Sequence, residues 1–292
     1  MIDFLIYTSI VVGIFALLTL SLNIQYGLTG LLNFGQIGFF AAGAYAVAIA
    51  HRHELPIWVG LALAPVAGAL MAWLMSMPVR RLRQEYWALL TLGVSEIFLS
   101  VMDNEDWIAG GIIGTRGIPS LFGSQILLLA FIAGLVLLTV ACFERVGRSQ
   151  FGRILRAIRE DETLVATLGR DVFGYQARVM VLGGLVAGIA GAVYAHFISF
   201  VDTAPFQLTE TFFIWTMLII GGVGNNYGVV FGAALLQGLF VATRFFPDVI
   251  PVSSQTFSLL RSMIVGGALV AFIILRPNGI FPERKRVYRA GG

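Results

Sequence analysis

The chain has 292 residues, 58% of them hydrophobic and only 12% charged, with a mean hydropathy of +0.87. Soluble domains carry about 25% charged residues, so this composition excludes a soluble enzyme with one large core and points to a polytopic membrane protein. The pI near 9.2 raises a nucleic-acid reading, but no clustered basic surface with a reading element is present.

Phe4 to Ala50 holds no charged residue over 47 positions. As one helix it would run roughly 70 Å at about 1.5 Å per residue, against a bilayer core of about 30 Å. It must be two spans, 4–24 and 33–50, with a break near residues 26–33. The stretch "YGLTGLLNFGQIGFFAAGAYA" supplies that break, with Gly27, Gly30, Asn33, Gly35 and Gln36. Further hydrophobic segments follow at 57–77, 86–102, 125–143, 176–199, 208–221, 228–243 and 256–275. The seventh and eighth are short for full crossings and share one uncharged run, Thr211 to Thr243, broken at "GGVGNNYG", residues 221–228. The expectation is an all-α polytopic membrane protein of about 8–9 transmembrane or broken helices in two related halves, forming a single domain over 1–292. The N-terminus lacks the basic n-region and cleavage site of a secretory signal. The single Cys142 cannot form an internal disulfide.

The hydrophilic pieces at 80–85, 144–178 and 276–292 hold 15 of the 19 Lys and Arg residues. Arg52, Arg116 and Arg244 lie in the alternate pieces, and Arg261 lies inside the last segment. The positive-inside rule makes the basic side cytoplasmic, which puts the C-terminus inside. The opposite side is acidic, with Glu54, Asp103, Glu105, Asp106 and Asp202 among its residues.

The two breaks resemble each other, and one lies in each half. Paired Gly-interrupted hydrophobic segments point to repeat architecture and a central path, because irregular backbone at membrane depth must be buried in protein or face a water-filled cavity. Tight helix packing through small residues is the bland alternative. Asn33 and Gln36 are expected to face the path or to hydrogen-bond between helices. Glu96 lies about ten residues into its segment, roughly 15 Å deep at about 1.5 Å per residue. An acid there needs a partner, and Arg261, entering from the opposite side, is the candidate. Thr91 and Glu96 join Asn33 and Gln36 as candidate path residues.

No catalytic site is expected. A Walker A loop needs a lysine after its last glycine, and the only lysine is Lys285. His51 and His53 lack further ligands and read as a solvated turn, His196 reads as packing, and no metal or cofactor is expected. The longest hydrophilic piece, 144–178, contains Phe151, Ile154, Leu155 and Ile158 at helical spacing. A helix over 153–168 is expected, with Gly169 as its stop and Arg156 within reach of Glu160. Its two readings are a helix on the lipid surface and a docking helix for a partner.

"LNIQYGLTGLLNFGQIGFFAAGAYA", "LRQEYWALLTLGVSEI", "GRSQFGRILRAIREDETLVATLG" and "IIGGVGNNYGVVFGAALLQG" together resemble the permeases of branched-chain amino acid ABC importers, closer to the LivM type than to its LivH partner. The resemblance covers nearly the whole chain in the same order. It implies an ABC importer permease fold. It also implies a LivH-type permease, two ABC ATPase subunits and an extracytoplasmic solute-binding protein as partners, in a bacterial inner membrane. "EDETLVATLG" resembles the ATPase-contacting loop, with Glu162, Ala166 and Gly169 at matching positions, and Arg156 precedes it on the docking helix. Urea and short-amide importers use similar permeases. An ion-coupled secondary transporter is the rival class, with Glu96 and Arg261 as its only intramembrane ionic groups.

Overall fold

The computed structural model describes residues 2–78, 84–242, 263, 266, 267, 270, 274 and 279–283. Helix α1 (Ile2–Leu22) passes into one π-helical turn (Asn23–Gly27). Then come α2 (Gln36–Arg52), α3 (Ile57–Ser76), α4 (Gln84–Asn104), the short α5 (Asp106–Ala109) and a 3-10 turn (Gly111–Ile113). After strand β1 (Thr115–Arg116) follow α6 (Gln125–Arg148), α7 (Gln150–Glu160), α8 (Glu162–Thr167) and α9 (Val172–Ile198). Strand β2 (Phe200–Val201), α10 (Leu208–Gly221) and α11 (Asn226–Ala242) come next. Among the described residues, five stretches are long and apolar enough to cross a membrane: Asp3–Gly27, Ile57–Ser76, Tyr86–Asn104, Gln125–Arg148 and Val172–Ile198. Eight of the nine expected segments coincide with α1, α2, α3, α4, α6, α9, α10 and α11. The ninth, 256–275, and Arg261 within it lie outside the described residues, apart from isolated positions.

The packing centre is the trio α2, α3 and α9. Lipid supplies no hydrophobic drive between helices, so close backbone approach through small residues holds them together. Gly43 of α2 lies against the backbone of Gly188 in α9, and Gly68 of α3 against that of Gly184. A Cβ at either position would collide with the facing backbone. Helix α2 is buried almost all round, whereas α3 turns Trp58, Val66, Leu70 and Trp73 outward as an apolar face.

The breaks sit near their expected positions. The π turn carries the first helix on through Thr29, so the non-helical stretch is 30–35 rather than 26–33. Gly30, at φ +71°, makes the turn in the left-handed region that glycine enters without a Cβ clash. In the second half α10 stops at Gly221 and α11 restarts at Asn226. The Asn225 carboxamide oxygen accepts from the N–H groups of Tyr227 and Gly228 at 3.1 and 3.2 Å, an N-cap that restarts the helix.

The acidic end is closed by a small layer. β1 pairs antiparallel with β2, Arg52 donates to the Asp106 carbonyl at 2.8 Å, and Thr203 donates to the Asp103 carboxylate at 2.5 Å. His196 is buried, with Nδ1 2.7 Å from the Pro119 carbonyl oxygen.

The basic-end segment departs from expectation. Residues 153–168 form two helices, α7 and α8, separated at Asp161 (φ −155°, ψ +101°). Asp161 accepts from the Leu164 N–H at 3.0 Å and the Thr163 hydroxyl at 2.6 Å, so it caps a new helix instead of continuing the old one.

Candidate functional site

The first break is tied up by its own amides. Ser21, Gln25, Asn33 and Gln36 are all fully buried. The Asn33 carboxamide donates to the Gln25 and Gln36 side-chain oxygens at 2.8 and 3.2 Å. Gln25 donates to the Gln36 oxygen at 3.2 Å, and Gln36 donates to the Ser21 hydroxyl at 2.8 Å. Ser21 in turn donates to the Gly183 carbonyl of α9 at 2.6 Å. Amides suit this depth because each offers two donors and an acceptor without charge. The irregular backbone is satisfied as well. The Gly35 N–H donates to Asn33 Oδ1 at 2.8 Å, and the Phe34 N–H donates to the Thr91 hydroxyl at 3.1 Å. Trp215 of α10 donates its indole N–H to the Asn33 carbonyl at 3.0 Å, and its ring packs against Tyr26 and Phe34.

Asn33, Gln36 and Thr91 are thereby brought together as one buried knot that holds the non-helical stretch between α1, α4, α9 and α10. Glu96 is set apart: it is exposed on α4, one turn beyond Thr91.

The second break meets the first. Asn23, in the π turn, donates to Asn226 Oδ1 at 2.8 Å and accepts from the Gly224 N–H at 2.9 Å. Asn226 donates to the Glu144 carboxylate of α6 at 3.2 Å. Beside this junction, at the basic end, opens a cavity of about 500 Å³ whose polar lining includes Asn23, Glu144, Arg148, Arg156, Asn226 and Glu283. Arg148 and Glu144 pair at 3.4 Å.

The α7–α8 segment is bolted to the same place. Ser149 caps α7 by accepting from the Gly152 N–H at 3.2 Å, and Gly152, Leu155 and Ile158 form its buried stripe. Ile158, Val165 and Val172 pack together where α7, α8 and α9 meet. Arg159 donates to the carbonyl of Gly27, the last residue of the π turn, and to the Glu283 carboxylate, the latter at 2.8 Å. Arg156 donates to the Gly147 carbonyl at 2.7 Å, and among the described residues it makes no ion pair with Glu160. Glu162, Ala166 and Gly169 are exposed, as are Leu164 and Leu168. The Thr163 hydroxyl and then the Leu164 N–H hold the Asp161 carboxyl below the usual carboxylate range.

Several residues of this site escaped the reading of the sequence: Ser21, Asn23, Gln25, Glu144, Arg159, Trp215, Asn226 and Glu283. Asn23 and Gln25 did carry a signal, since each is an amide in the same uncharged run as Asn33 and Gln36.

A family model described as the branched-chain amino acid transport system permease component matches residues 4–274. The chain belongs to this permease family. It is similar to the high-affinity branched-chain amino acid transport system permease protein LivM of Salmonella typhimurium, at 30% identity over 92% of this chain and 68% of the relative. It is 26% identical to the probable LivM permease of Methanocaldococcus jannaschii, over 93% of this chain and 91% of that one. To the LivH permease of Escherichia coli it is 24% identical, over 94% and 93%. These LivM proteins match at higher identity than this LivH protein, in agreement with the LivM-type motifs. The chain is thus a multi-pass transport permease rather than an enzyme.

Proposed function

We propose that the chain, as a single domain over 1–292, is the permease subunit of an ATP-driven importer of branched-chain or other neutral, hydrophobic amino acids. It works beside a LivH-type permease, two ABC ATPase subunits and an extracytoplasmic solute-binding protein in a bacterial inner membrane. The basic end, with the C-terminus, faces the cytoplasm by the positive-inside rule.

The observation that carries this reading is the double attachment of Arg159. One side chain joins the α7–α8 segment to the Gly27 carbonyl at the first break and to Glu283. Glu283 in turn lies against Gly224 of the second break. A push on the segment is therefore delivered to both breaks. The other side of the segment is free to receive one, since Leu164, Ala166 and Leu168 are exposed on the basic side. Glu162, Ala166 and Gly169 are its proposed ATPase contacts, and Arg156 fixes its seat on α6. The buried, uncharged knot of Asn33, Gln36 and Thr91 holds the non-helical stretch in place beside the path.

The test is uptake by the co-expressed, reconstituted assembly, with leucine, alanine, glutamate and urea compared. Leucine uptake that requires ATP, with ATPase subunits co-purifying, is expected. A chain that purifies alone and drives uptake from a proton gradient would overturn the reading, and urea-selective uptake would move it to the amide importers.

A further inference from the structure

One outward face of α4 does not suit lipid. Gly93, Glu96, Ser100 and Asn104 recur at spacings of three, four and four residues, which places them in line on one face. Glu96, Ser100 and Asn104 are exposed, and a Cβ at Gly93 would meet nothing within 4 Å. Asn104 donates to the Ser100 carbonyl at 2.7 Å and reaches its hydroxyl at 3.4 Å. Glu96 lies twelve residues into the 21-residue helix, roughly 18 Å from its start at about 1.5 Å per residue. Among the described residues no other span carries a charged side chain in its middle third. The outward faces of α3 and α6 make the contrast: Val66, Leu70 and Trp73 on one, Leu127, Leu137 and Leu138 on the other.

A carboxylate in mid-span faces protein or water, not hydrocarbon. The polar line running from Glu96 through Ser100 and Asn104 to the acidic end favours water. Toward the basic end the same line continues as Leu89 and Tyr86, 67% and 59% exposed. The face therefore offers an anion in its middle and apolar surface beside it. That matches an amino acid with an ammonium group and an aliphatic side chain.

We infer that the Gly93–Glu96–Ser100 face of α4 is a wetted wall of the translocation path, where the Glu96 carboxylate is the passing counter-charge for the substrate's α-ammonium group. The inference rests on the transport reading above and assigns the wall and the group that reading leaves open. Asn33, Gln36 and Thr91 lie behind this wall and hold its neighbour, the first break, in place.

The experiment uses the whole assembly in vesicles, with the exposed Cys142 replaced by serine. Gly93→Cys and Ser100→Cys are compared with Val66→Cys and Leu127→Cys, using a charged, membrane-impermeant thiol reagent. Only a thiol in contact with water forms the reactive thiolate, so positions 93 and 100 are expected to label roughly tenfold faster or more. Leucine-loaded binding protein with ATP is expected to change that rate. Labelling no faster than the two controls overturns the wall. Separately, Glu96→Gln is expected to cut leucine uptake about tenfold through loss of a charge-assisted contact, with the assembly and its ATPase activity intact and partial rescue by Glu96→Asp. Normal uptake by Glu96→Gln overturns the counter-charge role. Dissociation of the two permeases in that variant also overturns it, making Glu96 an interface residue. The Cys142→Ser chain alone must keep its ATPase and import leucine. Failure there overturns the transport reading itself, and this inference with it.

Discussion

Asn23 and Asn226 stand 203 positions apart and share a buried hydrogen bond of 2.8 Å. One belongs to the π turn at the first break and the other starts the helix after the second. Through them the two irregular stretches of backbone become one structural unit, to which Glu144 and the Gly224 N–H are also bonded. A displacement at either break is expected to pass to the other.

Breaking that bond from one side is expected to cost more than deleting it. Asn23→Ala orphans the buried Asn226 Oδ1, at about 1–3 kcal/mol, and leaves the half-buried Gly224 N–H without its side-chain acceptor. Thermal unfolding in detergent of Asn23→Ala, Asn226→Ala and the double variant measures this. A coupling of about 0.5–3 kcal/mol is expected, and additive effects would mean that the breaks are independent.

Asn33→Leu and Gln36→Leu make the span more apolar, so membrane insertion is expected to stay intact. Each change strands part of the Gln25 amide in the knot, again at about 1–3 kcal/mol per orphaned group. Leucine uptake is expected to fall steeply in the double variant while its amount in the membrane is unchanged. Wild-type uptake there would reduce both residues to packing.

Ala166 is exposed, so Ala166→Arg is expected to change stability by no more than about 0.5 kcal/mol. In the assembled importer it is expected to abolish uptake, because seating an unpaired charge in an ATPase groove costs at least a few kcal/mol. Co-purification of the ATPase is the measurement. A lipid-surface helix would tolerate the added cation, so normal uptake with ATPase attached would remove the docking role. Gly169→Asp is the weaker probe, since Gly169 sits at φ +75° and any side chain strains it.

Gly188→Ala is expected to destabilise by about 1–3 kcal/mol through overpacking, since its Cβ would meet the Ala64 carbonyl and the Pro65 backbone. Gly134→Ala on α6 is the control. Its Cβ meets nothing within 4 Å, and helix propensity favours it by up to about 1 kcal/mol. Thermal midpoints in detergent should move in opposite directions.

At the acidic end, burial lifts the Asp202 carboxyl above the usual range, a bond to its own backbone N–H opposes this, and Asp103 adds to the rise. A carboxyl raised in the folded state destabilises it when ionised, so the penalty is full at neutral pH and fades as pH falls through the raised value. Asp202→Asn is therefore expected to raise the thermal midpoint at pH 7, with the difference shrinking toward pH 4. A difference constant with pH would assign the effect to packing.

The sequence alone located eight of the spans and placed both breaks to within a few residues, and it set out which loops carry the cations. Each rests on a local quantity: the length of an uncharged run against the bilayer, Gly and Asn within it, and the count of cations between runs. The Asp161 cap is equally local and was legible in principle, yet the apolar stripe from Phe151 to Ile158 drew the helix across it. Tertiary structure decided what the amides do. An Asn or Gln in an apolar run must find a partner, and either a wet path or another amide satisfies that need equally well in the sequence pattern. Only the reversal of the chain between the π turn and α2 put Asn33, Gln36 and Gln25 within reach of one another, and α4, α9 and α10 close the knot with Thr91, Gly183 and Trp215. Only the packing of α1 beside α11 brought Asn23 to Asn226, and only the fold of α7 under α1 brought Arg159 to Gly27. Hydrogen bonds act over about 3 Å, and which distant groups come that close is a property of the packed chain.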